Sequence, residues 1–124
     1  MINILIVDDE FFARYLIKET LHRNFDNMDV YEAENGELAL KMLNQKEINI
    51  LILDSCLLDM SGEEICKIIR NKIKNYKIKI ILATGLYYNK NHEILKLVDK
   101  YIMKPYSDDM LINIINNFTK EGER

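Results

Sequence analysis

An α/β fold, with a parallel sheet wound by helices on both faces, is predicted for this 124-residue chain on three grounds. Apolar residues recur as unbroken runs, Ile4-Leu5-Ile6-Val7, Ile50-Leu51-Ile52-Leu53, Ile78 to Ala83 and Tyr101-Ile102-Met103, without alternation. Such runs mark strands buried on both faces, as in a parallel sheet covered by crossover helices. The intervals between the runs carry the apolar spacing of amphipathic helices. Finally, each run stops at a chemically capable residue: Asp8-Asp9, Asp54, Thr84 and Lys104-Pro105. Ligands of open α/β sheets bind just beyond the carboxyl ends of the strands.

The first strand, Ile4 to Val7, leads into a helix over about residues 10–23, with Phe12, Leu16 and Leu21 as its apolar face and Tyr15 and Ile17 beside them. Val30 to Ala33 is a short second strand, the weakest of the five, and Asn35-Gly36 ends it. Leu38, Ala39, Met42 and Leu43 then form the face of a second helix. After the third strand, Ser61-Gly62-Glu63-Glu64 has the capping-box form: Ser61 accepts from the Glu64 amide while Glu64 reaches back to the Ser61 amide. Ile65, Ile68, Ile69 and Ile73 supply the stripe of the helix that follows. A fourth helix is expected over about residues 89–98, marked by Ile94, Leu95 and Val98. Ser107-Asp108-Asp109 opens a fifth, with a cap and two negative charges at the positive end of its dipole, and Leu111, Ile114, Ile115 and Phe118 as its buried face. Short connections and right-handed crossovers leave few topologies. A flavodoxin-like doubly wound five-stranded sheet, order 2-1-3-4-5 with five helices, fits. It sets strands one and three on either side of the switch point, where Asp8, Asp9 and Asp54 would meet.

A single domain over residues 1–124 is expected, with 119–124 as a tail or the start of a linker. A net charge of −3 provides no basic field for direct nucleic-acid binding. Cys56 and Cys66 lack metal-ligand spacing and are read as reduced thiols of a cytoplasmic protein. Acidic residues at Asp8-Asp9 interrupt any signal-peptide core, and the apolar runs fall far short of the roughly 20 residues of a membrane span.

Three carboxylates, a hydroxyl and an ammonium gathered at one rim make a site for a divalent cation and a phosphoryl group. Clustered carboxylates repel one another unless a cation holds them, and Mg2+ favours such hard oxygen ligands. Singly, each residue has an ordinary explanation: an Asp pair caps helices, a strand-end Asp sits in turns, and Tyr101 is a half-buried aromatic. Their joint occurrence at successive strand ends does not. The pieces Ile-Val-Asp-Asp-Glu (6–10), Leu-Ile-Leu-Asp (51–54), Asp59-Met60-Ser61-Gly62, Ala83-Thr84-Gly85 and Lys104-Pro105-Tyr106 resemble the receiver domain of two-component response regulators, of the chemotaxis-regulator kind. The resemblance covers essentially the whole chain.

The resemblance implies a phosphoryl-accepting switch of a phosphorelay. Asp9 and Asp54 would bind Mg2+ directly, Asp8 mainly through water, and the Cys56 backbone carbonyl would add a further oxygen. Asp54 would be phosphorylated by a histidine kinase or histidine phosphotransfer protein. Lys104 and Thr84 would stabilise the phosphoryl group, and Thr84 and Tyr101 would switch the surface of the fourth helix, fifth strand and fifth helix. Dimerisation through that face on phosphorylation is also implied, as is a cis bond before Pro105 that points Lys104 into the site. Such a domain catalyses only its own phosphorylation and dephosphorylation and is not an enzyme with a separate substrate. The downstream protein or C-terminal output domain, and whether the domain stands alone, are not specified by the sequence.

Departures from the common pattern carry their own expectations. Leu58 stands where a proline often stiffens the turn, Leu97-Val98-Asp99-Lys100 replaces a small-residue stretch, and the interval from Thr84 to Lys104 is short. Cys56 and Leu86, two residues after Asp54 and Thr84, orient water poorly, which implies slow self-dephosphorylation. Rival readings are an unphosphorylated pseudo-receiver that binds proteins, a small hydrolase and a flavin-binding flavodoxin. Cys56 stands where the hydrolase needs a second Asp, and Asp8-Asp9-Glu10 would repel the flavin phosphate.

Overall fold

Continuous β-branched and leucine runs become adjacent strands because burial on both faces needs covering layers on both sides. The computed structural model, which describes residues 1–72 and 77–122, builds that arrangement. In chain order the elements are β1 (Ile2–Val7), α1 (Phe11–Asn24), β2 (Met28–Ala33), α2 (Gly36–Gln45), β3 (Ile50–Leu53), α3 (Gly62–Lys72), β4 (Lys79–Thr84), a 3-10 turn (Glu93–Lys96), β5 (Lys100–Met103) and α4 (Asp108–Gly122). The strands form one sheet in the order β2-β1-β3-β4-β5, and every pairing is parallel. This is the expected flavodoxin-like order.

Alternate residues of each strand feed two cores. Leu5, Val7, Leu51 and Leu53 pack with Ala39, Leu43, Ile65 and Ile69 on the face covered by α2 and α3. Ile4, Ile6, Ile50 and Ile52 pack with Ile17, Leu21, Leu111 and Ile115 on the face covered by α1 and α4. Cys66 belongs to the first core. Ile73, assigned to the third helical stripe, lies outside the described residues, as do positions 123 and 124 of the C-terminal tail.

Two expectations are corrected. The described residues hold four α-helices, and the expected fourth helix over 89–98 is replaced by the 3-10 turn Glu93–Lys96. Asn89 to Glu93 contains no apolar residue, so a helix begun there would have no face to bury for its first turn. Asn89 instead closes a local turn, its side chain accepting from the Asn91 amide at 3.1 Å and its carbonyl from the His92 amide at 2.8 Å. Only Ile94 of this segment is fully buried. The helix expected as the fifth is therefore α4, with Ser107 Oγ accepting from the Met110 amide at 3.2 Å.

The second correction concerns α1. Its buried side is Arg14, Ile17, Thr20 and Leu21, while Phe12 (64% exposed) and Leu16 (51%) face outward with Phe11 and Tyr15. Both stripes have helical spacing, so periodicity alone could not choose between them. The polar residues inside are satisfied. Thr20 Oγ1 donates to the Leu16 carbonyl at 3.1 Å, and Arg14 donates to the Asp8 carbonyl at 2.6 Å and to Glu32 at 3.1 Å.

Candidate functional site

The site is built by strand register. Val7 lies opposite Leu53, and Leu53 opposite Leu82, so the residues that follow these strands emerge at one level. Backbone bonds extend the ladder just past the strand ends: Asp8 N–H to the Ala33 carbonyl, Asp54 N–H to Val7, and Lys104 N–H to Thr84, at 3.2, 3.0 and 2.8 Å. Asp8 and Asp54 are thereby held side by side although they are far apart in sequence.

Carboxylate oxygens of Asp8, Asp9 and Asp54 all lie within 4.8 Å of one another. Asp8 is buried, Asp54 partly so, and Asp9 is exposed at the mouth. Asp8 Oδ1 accepts from the Glu10 amide at 3.0 Å and Asp54 Oδ1 from the Cys56 amide at 3.2 Å. Lys104 Nζ bridges the remaining oxygens, at 2.8 Å from Asp8 Oδ2 and 3.3 Å from Asp54 Oδ2. Burial pulls the Lys104 pKa down, but its hydrogen bond to Asp8 and the charges of Asp54 and Asp8 outweigh this, leaving it above the ordinary lysine value. The ammonium is thus charged at neutral pH. The Lys104–Pro105 peptide bond is cis.

Three close carboxylates fit a hard divalent cation such as Mg2+, which takes all-oxygen ligands. The Cys56 thiol, exposed and free, is too soft to be preferred by such an ion.

Thr84 is fully buried. Its hydroxyl pairs with Ser55 Oγ at 2.7 Å and accepts from the Leu86 amide at 3.2 Å. The Tyr101 hydroxyl donates to the Leu86 carbonyl at 2.7 Å and accepts from the Tyr88 amide at 3.1 Å. Thr84 and Tyr101 therefore hold the same loop, Thr84 at the Leu86 amide and Tyr101 at the Leu86 carbonyl and the Tyr88 amide. Tyr88 meets the Tyr101 and His92 rings edge-on, at centroid distances of 5.6 and 4.8 Å.

Sequence reasoning missed four supporting residues. Ser55 has no signal beyond its place next to Asp54. Arg14 shares the buried side of α1 with Ile17 and Leu21, but a charged residue gives no sign of burial in an apolar pattern. Asp59, noted as part of a turn motif, accepts from the Gly36 and Glu37 amides at 2.9 Å each and so ties the β3–α3 loop to the start of α2. Asp99 accepts from the Ile80 amide at 2.8 Å and from Arg70 Nη2 at 3.0 Å, at the opposite end of the sheet from the carboxylates. The capping box is half formed: the Glu64 amide donates to Ser61 Oγ at 3.1 Å, while the Glu64 carboxylate meets the Ser61 hydroxyl at 3.4 Å.

Residues 4–116 match the Response regulator receiver domain. A histidine kinase, P4, of Formosa agariphila is 36% identical over 108 residues, covering 85% of this chain and 8% of the kinase. The heme response regulator HssR of Staphylococcus aureus is 29% identical over 114 residues, covering 90% of this chain and 49% of HssR. The chain thus spans half or less of the length of these two relatives. Among solved structures, the response regulator protein TrrA of Thermotoga maritima, in complex with Mg(2+)-BeF, superposes with a TM-score of 0.84 at 33% identity. The match covers 95% of this chain and 99% of TrrA.

Proposed function

This chain belongs to the response regulator receiver domain family, and from that premise we propose that it is a Mg2+-dependent phosphoryl-accepting switch with Asp54 as the acceptor. The single observation that carries the reading is the Lys104 bridge, which brings one cation against Asp8 and Asp54 across 96 and 50 residues of sequence. No ordinary cap or turn requires that convergence. The Mg(2+)-BeF complex of the TrrA relative supports the choice of ion.

In this reading a carboxylate oxygen of Asp54 attacks the phosphorus of a phosphohistidine on a partner histidine kinase or histidine phosphotransfer protein. The new P–O bond forms as the P–N bond breaks; the electron pair returns to the donor imidazole, which takes up a proton, and an acyl phosphate remains on Asp54. Phosphoryl transfer depends mainly on positioning and charge neutralisation. Lys104 shifts part of its pairing from Asp54 to a phosphoryl oxygen, and Thr84 donates its hydroxyl hydrogen to another. Bound by Asp8, Asp9 and Asp54 with the Cys56 carbonyl, Mg2+ would offset the charge on the transferring group.

The transferred group adds roughly 1.5 to 2 negative charges near neutral pH. Pulling Thr84 toward that charge would strain the Leu86–Tyr88 loop that Tyr101 clasps, making the loop and ring the switching element. The donor would dock on the exposed Phe11, Phe12, Tyr15 and Leu16 side of α1. Of these residues Leu16 also lines a groove running through Ile17 and Leu111 to Lys104, and exposed apolar patches of this kind mark interaction surfaces. We place the domain in the cytoplasm, with no turnover of a separate substrate and with dimerisation following phosphorylation.

Intact-mass measurement after acetyl phosphate and Mg2+ tests this, with a sizing column alongside. One phosphoryl adduct is expected on the wild type and none on Asp54→Asn or without Mg2+. A wild type that takes up no phosphoryl group would leave the pseudo-receiver as the better description.

A further inference from the structure

We propose that Ser55 is a positioning residue for Thr84: its hydroxyl donates to Thr84 Oγ1 and so aims the Thr84 hydrogen at a phosphoryl group on Asp54. The inference deepens, and rests on, the reading of Asp54 as the acceptor.

Hydrogen-bond counting carries it. Ser55 and Thr84 together own two hydroxyl hydrogens, and the 2.7 Å bond between their oxygens uses one. The Leu86 amide already occupies one lone pair of Thr84 Oγ1. Among the described residues, neither hydroxyl has a further side-chain partner. If Ser55 donates, both lone pairs of Thr84 Oγ1 are filled and its own hydrogen is the spare one. A buried, unshared hydroxyl hydrogen is a costly group awaiting an acceptor. The nearest acceptor that phosphorylation would create belongs to Asp54, the residue before Ser55. If Thr84 donates to Ser55 instead, the spare hydrogen lies on Ser55; rotation of two hydroxyl hydrogens, without any heavy-atom movement, converts one state into the other. Chains of such bonds polarise one another and strengthen the terminal donor.

Placement supports the same assignment. Leu53 opposes Leu82 in the β3–β4 ladder, so continuing the register sets Ser55 opposite Thr84. Ser55 is itself buried at 6% exposure. It is fixed from its other side by Gly62, whose amide donates to the Ser55 carbonyl at 3.0 Å. A Cβ at position 62 would come within 2.8 Å of Ser55 Cα, so the start of α3 lies directly against this residue.

The test is a double-mutant cycle on the full chain: wild type, Ser55→Ala, Thr84→Ala and both together. It reads the rate of Asp54 labelling by acetyl phosphate in Mg2+, with Mg2+ affinity measured separately. Loss of one neutral hydrogen bond corresponds to about a fivefold slower rate for Ser55→Ala. Because Ser55 acts through Thr84, the double variant should be no slower than Thr84→Ala alone, and Mg2+ affinity should stay at the wild-type value. Three results would overturn the assignment: labelling of Ser55→Ala at or above the wild-type rate, the same slowing repeated in the Thr84→Ala background, or a parallel loss of Mg2+ affinity. A wild type that is not labelled at all defeats the acceptor reading itself, which is a distinguishable result.

Discussion

Lys104 shares its charge between Asp8 and Asp54, so it both holds the carboxylates together and competes with any cation that would sit among them. Removing it makes two effects diverge. Lys104→Ala should bind Mg2+ more tightly, because a positive charge has left the site, yet accept a phosphoryl group more slowly; isothermal titration and intact-mass kinetics report the two separately. The two thiols differ as sharply. Burial pushes the Cys66 pKa up to about 12, whereas Cys56 is exposed. A thiol reagent at neutral pH should therefore modify Cys56 alone in the folded protein and reach Cys66 only on unfolding, as peptide mapping would show. Cys56 and Leu86 border the acyl phosphate in the proposed state, and both side chains orient water poorly. Decay of the phosphorylated protein should take minutes to hours; a lifetime of seconds would contradict this.

At the level of the element, loops and helix ends bind the site to the scaffold. Asn35 Oδ1 accepts from the Leu38 amide at 2.8 Å, and Asp59 accepts from Gly36 and Glu37. Together they satisfy the free amides that open α2. The same bonds from the Gly36 and Glu37 amides hold the Asp59 pKa below its ordinary value. A carboxylate whose pKa is lower in the folded state stabilises the fold fully above its unfolded value, and this contribution is lost as pH falls through the folded one. Asp59→Asn should thus lower the urea midpoint at neutral pH by a modest amount, since the group is exposed, and the difference from wild type should shrink toward acid. Where β4 returns to β5, the 3-10 turn replaces a full helix. On the side of β5 that carries Tyr101, the neighbours are consequently Leu86 and Tyr88 of the loop after β4.

Across the whole molecule, one sheet carries the chemistry at its carboxyl rim and structural ties at the other end. Arg70 donates there to the Leu97 and Ile78 carbonyls at 2.8 and 3.1 Å and to Asp99 at 3.0 Å. An ion that binds only where Asp8, Asp9 and Asp54 converge must stabilise the entire fold, because the unfolded chain cannot assemble its ligands. At a free Mg2+ concentration 100 times its dissociation constant, the gain should be about 2.7 kcal/mol. A rise in the thermal midpoint with added Mg2+, abolished by chelation and much reduced in Asp9→Asn, would verify it.

The sheet order, the strand positions within a residue or two, and the meeting of Asp8, Asp9, Asp54 and Lys104 were legible in the sequence. Unbroken apolar runs separated by helical spacing fit a parallel sheet covered on both faces, and such a sheet aligns its carboxyl ends. Local patterns were less informative wherever two arrangements satisfied the same spacing. Of the apolar face expected for α1, Leu21 is buried together with Ile17, whereas Phe12 and Leu16 face outward; the two pairs share one period, and packing against α4 and β1 selected between them. A weak stripe from Ile94 to Val98 did not reveal that the Asn-rich segment before it would turn instead. Ser55, Asp59 and the Arg14–Glu32 pair bond across 18 to 29 residues; such bonds depend on strand register and loop closure, which exist only once the chain has folded.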